Sequence, residues 1–236
     1  MTYLTDLSDF KDVNTGKKCF IVGAGPSLIS LKLDPIFRHV VISVNSSALL
    51  MPWKEDEEED HQRFWVSTDP LCIQWDYFWS HVARQECTRL VRTSWRQHYD
   101  KIKYYMFRFF DPRKTYVTLK PNDGGLCSSS SVLAALDFAI WMNCKQIYLL
   151  GVDHRMLHNK SHFWQFQPKE LWPRRSDKDR YFTPAKRQQF GVFERNMGMF
   201  KLLQKYARDS DIEIYNCSSI STVDVFPKIS LEEALK

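Results

Sequence analysis

Residues 18–22, Lys-Cys-Phe-Ile-Val, run straight into Gly23-Ala24-Gly25-Pro26-Ser27-Leu28. A short apolar, partly β-branched run that stops at two glycines and a proline predicts a buried strand, a tight turn and a helix start, with Pro26 suited to the first helical position. Few folds accept a buried strand delivered into a glycine turn and then a helix. An α/β sheet does so as its repeating unit.

The rest of the chain fits that unit. Residues 40–44 form a second apolar run ending at Asn45-Ser46-Ser47, and residues 63–67 a third ending at Thr68-Asp69-Pro70. Residues 145–150 give a buried strand that stops at Gly151-Val152-Asp153-His154, and residues 211–215 supply a last one. The middle third is read as a helix at 71–83 and strands at 104–110 and 116–119. Ser128 to Ser131 precede Val132, Leu133, Leu136, Ala139 and Ile140, which share one helical face, and residues 187–208 repeat that period through Phe193, Met197, Phe200, Leu203 and Ala207. The acidic block at 55–60 repels itself and reads as a solvated loop. The expectation is one Rossmann-like α/β domain over residues 1–236. It has a mostly parallel sheet, helices on both faces, a long lid insert at about 153–186, and ligands bound beyond the carboxyl ends of the strands.

Composition narrows the class. At 44% apolar and 26% charged the chain can bury a core. The net charge of +5 suits an anionic ligand without demanding a nucleic acid. Six cysteines are spread without a C-x-x-C pair, as in a reducing compartment, so the expected location is cytoplasmic. No apolar run approaches the roughly 18 residues of a membrane span.

The chemistry implied by the turn is phosphate binding. Gly23 and Gly25 permit a close backbone approach, Ser27 can add a hydroxyl, and the amides open at the positive end of the next helix. The third glycine of a dinucleotide fingerprint is absent, its place taken by Leu28. Asn45, Asp69 and the serines at 129–131 finish other elements aimed at the same crevice. Each has a plain structural competitor, as a strand-end or helix cap.

The segments 19–28, Val44-Asn45, the serine-rich helix start, Tyr148 to Asp153 and Tyr215 to Ser218 resemble, in the same order, the MptE-like family, which is distantly similar to bacterial Rossmann-like sialyltransferases. The resemblance runs from about residue 16 to the end and is thinnest over 51–122. It implies a nucleotide site built from Gly23, Ala24, Gly25, Pro26, Ser27, Asn45, Asp69, Ser129, Ser130, Ser131 and Gly151. It also implies one of two activities. One is transfer from a nucleotide-sugar donor, of CMP type or another. The other is ATP- and Mg²⁺-dependent diphosphate transfer to a hydroxymethyl pterin. Two departures count against sialic acid: no histidine stands at 181–186, and His154 and Arg155 replace the tyrosine expected soon after the Gly-x-Asp strand end.

The lid segment carries the catalytic candidates. His154 follows a strand end at the crevice and has the residue type that titrates near neutral pH, which makes it the leading general base; Asp153 and Arg155 complete the catalytic set. Arg174, Arg175 and Tyr181 are expected to touch donor phosphate from the lid. His154, His158 and His162 recur every fourth residue, yet nearby Pro and Asn argue against a helix that would align them, and no metal site is expected. The leading reading is a nucleotide-dependent transferase, with glycosyl transfer to an unknown acceptor ahead of diphosphate transfer. A non-catalytic nucleotide or nucleic-acid module comes third, and a homo-oligomer is compatible with any of them.

Overall fold

The computed structural model describes residues 7–52, 62–84, 87–92, 105–110, 125–127, 130–174 and 186–236. Their strands are β1 Lys18–Val22, β2 Val40–Val44, β3 Arg63–Ser67, β4 Thr88–Arg92, β5 Tyr105–Phe110, β6 Gly125–Cys127, β7 Gln146–Leu150 and β8 Glu213–Asn216. They form one sheet in the order β6-β5-β4-β3-β2-β1-β7-β8, and every neighbouring pair is parallel. The chain builds outward from β1 to β6, then returns to lay β7 on the other side of β1. The crevice between β1 and β7 is thus the topological switch point, where α/β sheets bind ligands.

Both faces of the central strands are covered, which is why β1, β2 and β7 read as mainly apolar runs. Cys19 and Ile21 point to one face, packed with Leu133 and Leu136 of α2 (Ser131–Trp141) and Phe200 and Leu203 of α3 (Lys186–Asp209). Phe20 and Val22 point to the other, against Ile36, Trp164 and Leu231. That second face is covered by 3-10 turns, including Pro26–Ser30 and Asp34–Arg38, and by the short α4 (Leu231–Ala234). Further along the sheet, Trp65 and Val91 pack on Phe78 of α1 (Asp76–Ser80).

The structure departs from the sequence expectations in the middle third. The helix expected at 71–83 is divided into a 3-10 turn Pro70–Gln74, α1 and a further turn Val82–Arg84. Strand β4 went unread because Thr88-Arg89-Leu90-Val91-Arg92 has two apolar residues among five, and β6 because it has three residues. The expected strand at 116–119, the acidic block and the side chain of Phe193 lie outside the described residues. The first part of the lid is folded rather than loose: Phe163, Trp164 and Gln165 are buried in a 3-10 turn, and the Phe163 N–H donates to Ala24 O at 3.0 Å. Among the described residues no helix is long and apolar enough to cross a membrane, and Cys19, Cys72, Cys87, Cys144 and Cys217 are free thiols.

Candidate functional site

The glycine turn is shaped first by its neighbour strand. Gly23 N–H donates to Leu150 O and Gly25 N–H to Gly151 O, each at 2.8 Å, so the turn continues the β1–β7 ladder past the strand ends. A Cβ on Gly23 would lie 2.5 Å from Gly151 O, and one on Gly25 would lie 2.5 Å from Asp153 Oδ2 and 2.6 Å from Gly151 O. Gly151 has φ +64, where a side chain is strained, and a Cβ there would meet Leu28 at 2.6 Å.

The amide expected to hold a phosphate already has an anion. Asp153, 2% exposed, accepts the Ser27 N–H at 2.8 Å and the Ser27 hydroxyl at 2.7 Å. Ser218 Oγ lies 2.9 Å from Ser27 Oγ and accepts the Gly151 N–H, so the Tyr215-to-Ser218 segment locks the same joint. Ser27, expected to add its hydroxyl to a phosphate, is buried and bonded to the chain's own carboxylate, and Asp153, expected in the catalytic set, holds the turn through two hydrogen bonds. Gly23, Pro26 and Ser27 stand behind the crevice wall and do not line it.

The crevice is a cleft of about 720 Å³, counted with its open mouth. It brings together Ala24, Gly25, Asn45, Ser130, Ser131 and Gly151 from the expected nucleotide set. Asp153, His154 and Arg155 of the expected catalytic set line it too. Asn45, at φ 52, ends β2, and its Oδ1 accepts the Ser131 hydroxyl at 3.2 Å; Ser131 Oγ in turn accepts the Thr68 N–H at 2.9 Å. The ends of β2 and β3 and the start of α2 are thereby tied together. With its oxygen engaged, the Asn45 amide nitrogen is the atom left to donate into the cleft. Ser130 caps α2 by accepting the Leu133 N–H.

His154 also sits in the left-handed region, at φ 46, with its carbonyl bonded by the Thr222 hydroxyl at 2.9 Å and its ring 5.3 Å from Phe200. Burial pushes its imidazole from the usual value near 6.5 down to about 4, so the expected titration near neutral pH does not occur. Beyond it, Leu157 and Lys160 exchange two backbone bonds of 2.9 Å around His158 and Asn159, whose φ values of 48 and 60 make a type I′ turn. No helix aligns the three histidines. Among the described residues no three His, Cys, Asp or Glu side chains gather as metal ligands.

His162, noted in the sequence only for its four-residue spacing from His158, lines both this cleft and a second chamber of about 430 Å³ bounded by Trp75, Tyr77, Trp164 and Pro173. Its Nδ1 is 2.8 Å from Ser161 Oγ, and that hydroxyl donates to Gln165 Oε1 at 3.3 Å. Burial holds this ring at about 4 as well, so it is neutral at physiological pH. Buried Asn196 of α3 is a second cleft residue the sequence did not flag. Asp69 lines the second chamber rather than the cleft. Arg174 lines neither: its N–H donates to Asp76 Oδ1 and its carbonyl accepts the Asp76 N–H, which anchors the lid on α1. Ser129, Arg175 and Tyr181 lie outside the described residues.

No protein-family model matches the chain, and no curated protein sequence matches it; the MptE-like resemblance therefore rests on its motifs alone. Among solved structures, the chain is similar to the MAf glycosyltransferase from Magnetospirillum magneticum AMB-1, with TM-score 0.56 and 15% identity over 97% of this chain and 39% of that one. The chain thus spans about two fifths of that enzyme's length. The sialyltransferase CstII from Campylobacter jejuni, solved with the substrate analogue CMP-3FNeuAc, aligns at TM-score 0.46 and 15% identity over 91% of this chain and 86% of that one. At such identities the likeness to the MAf enzyme establishes a shared Rossmann-like fold.

Proposed function

We propose that the chain is a nucleotide-dependent transferase, and specifically a glycosyltransferase that uses a nucleotide-activated sugar. The observation that carries this reading is the strand-end cleft at the β1–β7 switch point, where Arg155, the Asn45 amide and the neutral His162 face one space. Arg155 supplies the positive charge that a departing nucleotide phosphate requires. The neutral His162 imidazole takes the proton from an acceptor hydroxyl as the hydroxyl oxygen bonds to the sugar's anomeric carbon and the bond from that carbon to the phosphate oxygen breaks. His154 lines the same cleft in a neutral state and is the second candidate for that base.

A thermal-shift screen with CMP, UDP, GDP and ATP, each with and without Mg²⁺, followed by turnover of the matching nucleotide sugar, tests this reading. Stabilisation by one pyrimidine or guanine nucleotide and release of that nucleotide from its sugar are expected. A shift confined to ATP with Mg²⁺ would favour diphosphate transfer, and no shift with any nucleotide would end the transferase reading.

A further inference from the structure

A further cavity, of about 860 Å³ counted with its open mouth, is lined from three segments that each lead into a strand. Lys11 and Asp12 precede β1, Trp141 ends the helix α2 that precedes β7, and Tyr206 and Ser210 close the helix α3 that precedes β8. These strands run parallel, so the cavity lies at their amino ends, away from the strand-end cleft. Both helices present their C-terminal, partially negative ends to it, where a cation is favoured.

One cation already sits there. Lys11 Nζ stands over the Trp141 ring, 5.6 Å from its centroid, within the reach of a cation–π contact. The ring is held in place: its indole N–H donates to Leu7 O at 2.8 Å, and the Asp12 N–H donates to Trp141 O at 3.2 Å. Asp137, 3% exposed, and Tyr206 line the same wall and have partners within the fold, so they shape the cavity. Lys11 and Asp12 are exposed.

We infer that this cavity binds a small organic ammonium ion, which replaces the Lys11 ammonium on the Trp141 face. The ring face, the two helix ends and the Asp12 carboxylate all favour positive charge, and an uncharged molecule of the same shape gains nothing from them. Lys11 is an exposed side chain on a flexible stem, so it can swing away without disturbing the packed core.

Titration of choline, tetramethylammonium and the uncharged carbon isostere of choline into the full chain tests the site. Indole N–H resonances are followed by NMR, that of Trp141 being assigned by its loss in Trp141→Phe. Both cations are expected to shift the Trp141 indole and to bind roughly 2- to 30-fold more tightly than the isostere, the span of a cation–π contact from exposed to desolvated. Lys11→Met removes the competing ammonium and is expected to tighten cation binding by about 3-fold or more, and Asp12→Asn to weaken it by about 2-fold or more. Both positions are exposed, so the variants keep the fold. Isostere binding as tight as that of choline would overturn the inference, by making the cavity an apolar pocket. Shifts at Trp75 or Trp164 with none at Trp141 would overturn it by placing the cation in the aromatic chamber. Lack of saturable binding to both the wild type and Lys11→Met, or no tightening in Lys11→Met, would do the same.

Discussion

Replacing Asp153 with alanine separates a structural latch from a phosphate cradle. The carboxylate accepts two hydrogen bonds at Ser27, at 2.8 and 2.7 Å, and is 2% exposed. Bonds to a charged acceptor contribute roughly 1.5–3 kcal/mol each. The Ser27 hydroxyl keeps Ser218 as a partner, so the amide is the group left stranded, and the net cost is about 2–4 kcal/mol. For a chain of this length that corresponds to a fall in Tm of roughly 4–16 °C. Gly25→Ala should cost about 1–3 kcal/mol by overpacking, since its Cβ would press on the Gly151 carbonyl as well as on Asp153. The double variant should lose less than the sum, because one of the two obstructions has gone. Urea unfolding with an unchanged m-value is the assay. A loss below about 0.5 kcal/mol for Asp153→Ala, joined to tighter nucleotide binding, would refute the reasoning and return the turn amides to a ligand phosphate.

Three more predictions follow from the same geometry. His162→Ala should lower turnover by roughly 10²–10⁴ while leaving nucleotide affinity within a few-fold, and a drop below about 10-fold would place the base elsewhere. His154 and His162 are held neutral in the fold at about 4 against an unfolded value near 6.5, so the unfolded chain binds more protons between those limits. Stability should therefore be full above about pH 6.5 and decline as pH falls toward 4, and denaturation midpoints flat across that window would contradict it. Ser130→Ala removes the cap of α2 and should cost about 0.5–2 kcal/mol, read by thermal unfolding.

The strands that both faces bury were legible: 18–22, 40–44 and 63–67 coincide with β1, β2 and β3, and 145–150 with β7 to within one residue. Mainly apolar runs carry that signal because neither face alternates. Thr88–Arg92 hid because arginines at 89 and 92 interrupt its run, and the Arg89 Nε–H is satisfied by Val82 O, a bond that sequence does not display. The polar strand ends were legible as a set, since Asn45, Ser131, Gly151 and His154 do meet. What each one bonds was not. The bond of Ser27 to Asp153 depends on a pairing 126 residues apart, and the position of His162 depends on how the lid folds over Ala24. The weight given to His154 came from residue type and adjacency to a strand end; burial, which lowers both imidazoles, is a property of packing.

The most direct test of the central claim is calorimetric titration of the nucleotide chosen by the thermal-shift screen into the wild type and Arg155→Ala. Saturable binding to the wild type is expected, weakened in the variant by the 1.5–3 kcal/mol of a charge-assisted phosphate contact, or roughly 10- to 150-fold. Equal affinity in the two proteins would contradict the placement of the phosphate in the β1–β7 cleft.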